Sequence, residues 1–156
     1  MKRTTRLLLR LFVSLAAPWA AWHERKICRI GTPLDPVFLA DARALGIRHP
    51  EKVRVLFVER IPFFNGRFLR ALSKFFPDIS PHTIGLSLRY GIYLRKHLSV
   101  ESHRLLLAHE LVHTSQYEKC GGISAFLLRY FEECLTDGYA RSPMEQEADL
   151  KSKSLS

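Results

Sequence analysis

The stretch that decides the fold is His109-Glu110-Leu111-Val112-His113. Two histidines four residues apart on a helix lie one turn above the other, so both imidazoles can reach one metal ion at the roughly 2.0 to 2.1 Å that zinc requires. Glu110 projects about 100° around the axis from His109, where its carboxylate can take a proton from a zinc-bound water. The pattern predicts a hydrolytic zinc site on a helix.

The surroundings of this motif decide between a metal site and a chance match. HExxH also occurs by chance on ordinary amphipathic helices, so the five residues alone are ambiguous. Here the motif follows the apolar run Leu105 to Ala108, and its helix is expected to end at Gly121-Gly122. A catalytic zinc site has three protein ligands plus water, and Met144 to Asp149 supplies candidates for the third.

Glu145 is the preferred third ligand. Glu145 and Asp149 are four residues apart on one helix face, so Glu145 can bind the metal while Asp149 accepts a hydrogen bond from the outer nitrogen of a histidine. The alternative for Glu145 is structural, because Ser142-Pro143-Met144-Glu145 has the S-x-x-E form of a capping box. In that case Glu147, otherwise expected to face solvent, is the substitute ligand.

The combination of His109-Glu110-x-x-His113 with Glu145-x-x-Ala148-Asp149 resembles the zincin metallopeptidases whose third ligand is a glutamate, the gluzincins. The downstream signature is similar to that of the CAAX-prenyl and heat-shock membrane metallopeptidases. The motif helix is similar to small uncharacterised bacterial zinc-peptidase domains. The resemblance covers about residues 83 to 150. It implies one Zn²⁺ bound by His109, His113 and Glu145, with Glu110 as catalytic general base and Asp149 orienting a histidine.

The resemblance also implies an α+β, zincin-like fold, with a small mixed sheet, an active-site helix and further helices packed below it. It implies that an edge strand near Gly91 to Leu94 holds substrate in extended form by strand addition. The donor that stabilises the oxyanion has no motif position here; Tyr139 is the first candidate, and Tyr117 and His103 are the others. The membrane peptidases have several transmembrane helices that this sequence lacks, so their substrates are not carried over.

Length and composition indicate one globular domain. The chain has 156 residues, 47% of them hydrophobic and 25% charged, enough to bury a core. We expect residues 1–30 to form a basic, apolar N-terminal segment and residues 31–156 a single zincin-like metallopeptidase domain. Three cysteines without CxxC spacing predict neither a disulfide framework nor a cysteine zinc site, although a Cys120–Cys134 bridge stays open.

The net charge of +9 is unevenly distributed. Residues 1–104 hold 19 Lys and Arg against 7 Asp and Glu, a net of +12, whereas residues 105–156 hold 5 against 8, a net of −3. Such asymmetry can indicate nucleic acid or a membrane surface as partner. The basic residues are scattered and no nucleic-acid-binding motif accompanies them, so nucleic acid is disfavoured. A DNA-associated metalloprotease stays as a third hypothesis.

The N-terminal 22 residues allow two interpretations. Basic residues surround leucines, and the uncharged stretch Leu11 to Trp22 follows. This stretch is shorter than the about 20 residues that span a bilayer but fits the h-region of a signal peptide. A retained amphipathic helix, lying on the domain or on a membrane surface, is slightly favoured because no clean cleavage site follows. The compartment is undecided, with the cytoplasm slightly favoured.

Local patterns predict the elements around the motif. Residues 23 to 34 look like a connecting segment, and histidines 23, 49, 82 and 97, without spacing partners, are expected at the surface or in loops. Before the motif we predict a helix over 36–45 capped by Asp35, a strand over 53–58, a short helix or turn over 67–76, and two short strands or one bent strand over 83–94. The motif helix covers about 100–118 and is capped by Ser99. After it we predict a helix that is capped by Ser124 and runs to Asp137, and a last helix opened by Ser142-Pro143.

The leading hypothesis is therefore a zinc metallopeptidase that hydrolyses peptide bonds. The alternative is a non-catalytic module that keeps zinc for structure and uses its basic N-terminal half to bind an anionic surface or a partner. The first predicts a peptide or protein substrate. Peripheral contact of residues 1–22 with a membrane is a separate expectation that fits either hypothesis.

Overall fold

The computed structural model of the chain describes residues 3–62 and 84–155. Within these ranges the chain is α+β, with five α-helices, two short 3-10 helices and a four-stranded mixed sheet. The helices are α1 (Arg3–Ile30), α2 (Pro36–Ala44), α3 (Val100–Cys120), α4 (Ile123–Asp137) and α5 (Pro143–Lys153). The strands are β1 (Thr32–Pro33), β2 (Arg54–Val58), β3 (Gly85–Leu88) and β4 (Gly91–Arg95). The predicted helix or turn over 67–76 lies outside the described residues.

The sheet has the order β1-β2-β4-β3. The β2–β4 pair is parallel, and the pairs β1–β2 and β4–β3 are antiparallel. The prediction that Gly91 to Leu94 forms an edge strand is wrong: β4 lies between β2 and β3, and the edges of the sheet in the described residues are β1 and β3. The physical reason is burial, since all four residues from Gly91 to Leu94 are buried, as expected of a strand with neighbours on both sides.

The two faces of β4 belong to two different cores. Ile92 and Leu94 pack with Leu111 of α3 and with residues of α2 and α5. Tyr93 points to the opposite face and packs with residues of α1 and α4. Side chains alternate between the faces of a strand, so α1 and α3 lie on opposite sides of the sheet. The second half of α3 is enclosed by the sheet and the neighbouring helices, and every residue from Glu110 to Glu118 is buried.

Three helix starts agree with the sequence. The side chains of Asp35, Ser99 and Ser142 each accept a hydrogen bond from a backbone N–H in the first turn of their helix. The predicted cap at Ser124 is wrong, because α4 begins at Ile123 with Gly122 as its N-cap. Gly121 and Gly122 both have positive φ, 88° and 136°, so the chain reverses direction before Ser124 is reached.

The N-terminal segment is one long helix. The connecting segment predicted for residues 23 to 34 is wrong, because α1 continues to Ile30. Contacts to the sheet hold its second half: His23 Nδ1 lies 2.8 Å from the Tyr93 hydroxyl, and Arg89 Nε donates to Glu24 Oε1 at 2.7 Å. His23 is therefore buried rather than at the surface. Among the described helices, none is both long enough and apolar enough to cross a membrane.

Candidate metal centre

The third and fourth turns of α3 bring the two motif histidines together. His109 and His113 lie one turn apart, with ring centroids 4.8 Å from each other. Their Nε2 atoms are 3.1 Å apart. His113 is buried and His109 is partly exposed. The four-residue spacing thus aims both Nε2 atoms at one point, as the sequence predicts.

Helix α5 supplies the third group. Glu145 Oε2 lies 3.3 Å from His109 Nε2, and Glu145 Oε1 lies 3.3 Å from His113 Nε2. Among the described residues, one group of His, Cys, Asp and Glu side chains could hold a metal ion, and it consists of His109, His113 and Glu145, with ligand atoms all within 4.8 Å of one another. Glu145 is buried, so its carboxylate faces the imidazoles and not solvent.

The choice between ligand and helix cap for Glu145 is resolved by the hydrogen bonds of Ser142. The Ser142 hydroxyl accepts from the Glu145 backbone N–H at 3.3 Å, so the serine does cap α5. The return half of a capping box is missing, because the Ser142 N–H donates to the carbonyl of Tyr139 at 3.1 Å. The Glu145 carboxylate is therefore not used by the cap and faces the two histidines.

Each histidine is held through its outer nitrogen. His109 Nδ1 lies 3.1 Å from Asp149 Oδ1, the position that the spacing predicts for Asp149. His113 Nδ1 lies 2.8 Å from Gln116 Oε1, and the Gln116 amide donates to the Met144 carbonyl and to Glu147 Oε2, both at 2.9 Å. Sequence reasoning gave Gln116 no role, although its position three residues after His113 puts it on the same helix face.

Glu147 differs from its prediction. It was expected to face solvent, with a ligand role only if Glu145 proved to be a cap. Its side chain is partly buried and accepts hydrogen bonds from Gln116, Lys119 and Lys151. Burial alone would raise the pKa of this carboxyl, but the hydrogen bonds from Lys151 and Gln116 and the nearby lysine charges lower it to about 2. Glu147 therefore supports Gln116 and is turned away from the histidine pair.

Two tyrosines contact Glu145, and the sequence singled out one of them. Tyr139, in a 3-10 helix before α5, lies close enough to Glu145 that partial burial and the charge on this carboxylate raise the pKa of its hydroxyl. Tyr130 was missed: its hydroxyl donates to Glu145 Oε1 at 2.5 Å. The available signal was its place on the apolar face of α4, where a tyrosine hydroxyl that becomes buried needs a partner.

The polar atoms of the other two candidates for an oxyanion donor are hydrogen-bonded to backbone carbonyls. The ring of Tyr117 stacks on Phe126, and its hydroxyl donates to the Ser87 carbonyl at 3.3 Å. His103 Nε2 lies 2.9 Å from the Arg95 carbonyl at the end of β4. Both side chains are used in packing and hydrogen bonding within the fold.

Glu110 is a residue of α3, and its side chain is buried against β3. The Ser87 backbone N–H acts to lower the pKa of the Glu110 carboxyl, and a Cβ at Gly85 would lie 2.5 Å from Glu110 Oε1. Burial raises the pKa of the Glu110 carboxyl, and the charge on Glu145 acts in the same direction, while the imidazoles oppose both. A raised pKa makes this carboxylate a stronger base, which is the direction that a general base requires.

The charges of the ligand group stabilise one another. Burial alone would raise the pKa of Glu145, but hydrogen bonds from His109, His113 and Tyr130 hold it well below its usual value. Burial alone would lower the pKa of His113, but its hydrogen bond to Glu145 and the charges on Glu110 and Glu145 raise it to about 9. The metal-free site therefore holds a proton on His113 that a metal ion would displace.

The cysteines take no part in this centre. Cys28, Cys120 and Cys134 are thiols, each partly buried, so the open alternative of a Cys120–Cys134 bridge is not realised.

Comparisons with known proteins give no relative from which a function for this site could be inferred. No protein-family model, no curated protein and no solved structure matches this chain.

Proposed function

We propose that this protein is a zinc-dependent metallopeptidase with a zincin-like fold. The observation that supports it is the convergence of His109 Nε2, His113 Nε2 and the Glu145 carboxylate, with neighbouring distances of 3.1 and 3.3 Å. Glu110, which directly follows His109 in the motif, is buried and supplies the carboxylate base. These are the four groups of a hydrolytic zinc site.

The donor set and its spacing fit zinc. Two ligands that each lie 2.0 to 2.1 Å from a tetrahedral ion are about 3.3 to 3.4 Å from each other. The two imidazole Nε2 atoms are 3.1 Å apart, and each lies 3.3 Å from one of the two Glu145 carboxylate oxygens, which is close to that value. Two imidazoles and one carboxylate are also the ligand types of a catalytic zinc site that keeps a fourth position open.

When bound, zinc supplies Lewis acidity, which makes a water molecule more acidic and a peptide carbonyl more electrophilic. Within this chain, Glu110 accepts the proton from that water and then donates it to the leaving amine. The backbone of β3 at Gly85 lies against the Glu110 carboxylate and limits where it can point. Tyr139 is the oxyanion donor in this proposal, because its hydroxyl lies at Glu145 while its side chain is partly open to solvent.

The position of β3 supports the peptide as substrate class. Among the described strands, β3 is one of the two edges of the sheet, and it lies against Glu110. An extended peptide that pairs with a sheet edge brings its backbone alongside that edge. We assign this role to β3, in place of the residues 91–94 that the sequence favoured.

The test is cleavage of an unbiased peptide library by the zinc-loaded protein. We expect cleavage that a chelator abolishes and added zinc restores. Glu110→Gln should keep one zinc per chain and lose turnover by at least about 10²-fold, the lower range for general acid–base catalysis. Glu101→Gln, which changes an exposed carboxylate in the first turn of the same helix, is the matched control and should keep full activity. Cleavage by Glu110→Gln at the wild-type rate would contradict the mechanism.

One observation favours a second function, a non-catalytic zinc module. The side chains of His113 and Glu145 are only 8% and 5% exposed, and structural zinc sites are closed. In that case chelation unfolds the protein and no peptide is cleaved. The same assay, followed by circular dichroism with and without chelator, distinguishes the two functions.

A further inference from the structure

The helix α1 has apolar side chains on two separate faces. One face, which includes Leu9, Phe12 and Val13, is buried in the core shared with α4. On the other, four leucines and Trp22 are each between 55% and 61% exposed. Successive residues turn by about 100° around a helix, so these side chains fall within an arc of about 100°, together with the exposed Pro18. We call this set the apolar stripe; its members are Leu7, Leu8, Leu11, Leu15, Pro18 and Trp22.

Cations border the apolar stripe at both ends. Arg3 and Arg10 lie beside its first turns, and Arg25 and Arg29 are exposed beyond its last turn. Lys26 Nζ lies 5.5 Å from the centre of the Trp22 ring. One further cation, Arg6, is 3.6 Å from Glu132 and so has an anionic partner within the chain.

No carboxylate of α1 balances these cations at the surface. The only acidic residue between Arg3 and Ile30 is Glu24, which is buried and bonded to Arg89. The exposed face of α1 is therefore apolar along its centre and positive at its borders. A contiguous exposed apolar surface of this kind marks an interaction site, because it costs free energy in water.

We propose that the apolar stripe docks on the surface of an anionic lipid bilayer, with α1 lying in the plane of the interface. Leucines and a tryptophan on one face and arginines and lysines beside them are the features of interfacial helices. The leucines would enter the boundary between headgroups and acyl chains, and the cations would contact anionic headgroups. This proposal does not depend on the zinc chemistry, which uses α3 and α5.

The charge distribution argues against a second copy of the chain as the occupant. Two copies packed through the apolar stripe would bring the cations of one α1 close to those of the other, whichever way the helices ran. Like charges at such an interface are repulsive. Anionic headgroups, in contrast, complement every exposed cation beside the stripe.

The test is flotation of the full chain with vesicles, at low and at high salt. One vesicle preparation contains phosphatidylcholine alone and the other also contains phosphatidylserine. We expect the anionic vesicles to bind the protein, and high salt to weaken that binding. The emission of Trp22 should shift to shorter wavelength on binding, and the part of the shift due to this residue should be absent in Trp22→Phe.

Two double variants separate the apolar and the charged contributions. Leu11→Ser with Leu15→Ser should reduce binding by roughly tenfold or more. Arg10→Gln with Arg29→Gln should reduce binding to anionic vesicles by about 25-fold, because each cation near such a surface contributes a factor of about five. Val37→Ser with Val100→Ser, which changes two valines that are 56% and 87% exposed elsewhere, is the matched control and should leave binding unchanged.

Three results would overturn the proposal. The first is no binding to anionic vesicles at low salt by a folded chain. The second is undiminished binding by the double leucine variant, which would show that unspecific charge attraction alone explains the binding. The third is a dimer, detected by sedimentation, that the leucine substitutions dissociate while no vesicles are bound, which would identify a second copy as the occupant.

Discussion

Gly85 of the edge strand β3 and Glu110 of α3 are in such close contact that a side chain at position 85 would meet the carboxylate. A Cβ built on Gly85 lies 2.5 Å from Glu110 Oε1 and 2.9 Å from Leu106 Cδ1. Real Cβ atoms do not approach oxygen so closely, so one of the two groups has to move. The absence of a side chain at position 85 thus sets where the proposed general base lies.

Gly85→Ala should therefore displace the Glu110 carboxylate while leaving the ligands in place. We expect zinc content to be unchanged and turnover to fall by about 100-fold, the cost of a misplacement of about 1 Å in a catalytic group. Ile84→Ala, at a neighbouring exposed side chain, is the control and should keep its turnover. Peptide cleavage rates and bound zinc, measured on the same preparations, check this, and a fully active Gly85→Ala protein would refute the positioning role.

Gln116 should set the zinc affinity through His113. Gln116→Ala removes the acceptor of the His113 Nδ1–H and the link to Glu147, and loss of such a partner typically weakens metal binding by about 10- to 100-fold. Gln146→Ala, on the exposed side of α5, is the matched control. Competition with a chelating dye measures both affinities. Equal affinities for the two variants would show that Gln116 has no part in holding the ligand.

Zinc binding should release a proton. In the metal-free protein the pKa of His113 is raised to about 9, so near pH 7.5 this imidazole is largely protonated and must lose its proton to bind a metal. We expect release of about one proton per zinc, and an apparent affinity that rises with pH until about 9. Calorimetric titration in buffers of different ionisation enthalpy measures the number directly. Binding that is independent of pH between 7 and 9 would contradict it.

The same shift makes a prediction for the metal-free protein. A raised pKa means that the folded state binds the proton more tightly than the unfolded state, in which the pKa of histidine is near 6.5. The stabilisation is fully present below pH 6.5 and is lost as the pH rises towards 9. Denaturant unfolding across this range should show decreasing stability without zinc and a smaller decrease with it.

Much of the candidate site follows from local sequence. The four-residue spacing of His109 and His113 places both on one face of a helix. Ser99 and a glycine mark the two ends of this helix in the sequence, and both ends agree with the structure. Glu145 and Asp149 are one turn apart, so a single helix places one at the metal ligands and the other behind His109. Regular helices convert spacing into direction, which is why these positions could be predicted.

The remaining parts of the site depend on contacts between distant segments. Tyr130 reaches Glu145 only because α4 packs against α3 and α5, and nothing in the local pattern of α4 specifies that packing. The order of the strands also depends on contacts between distant segments. An apolar run from Gly91 to Leu94 indicates a buried strand, but it does not say which strands lie beside it. Ser124 has a good capping side chain, but two glycines with positive φ place the N-cap of α4 at Gly122, two residues earlier.

The central claim is that His109, His113 and Glu145 together bind one zinc ion, and X-ray absorption by the zinc-loaded chain tests it most directly. The account predicts one zinc per chain, with two imidazole nitrogens and carboxylate oxygen at about 2.0 to 2.1 Å and no sulfur at about 2.3 Å. Glu145→Ala should remove the carboxylate contribution and keep both imidazoles. A sulfur shell, or a spectrum without two imidazoles, would contradict the assignment.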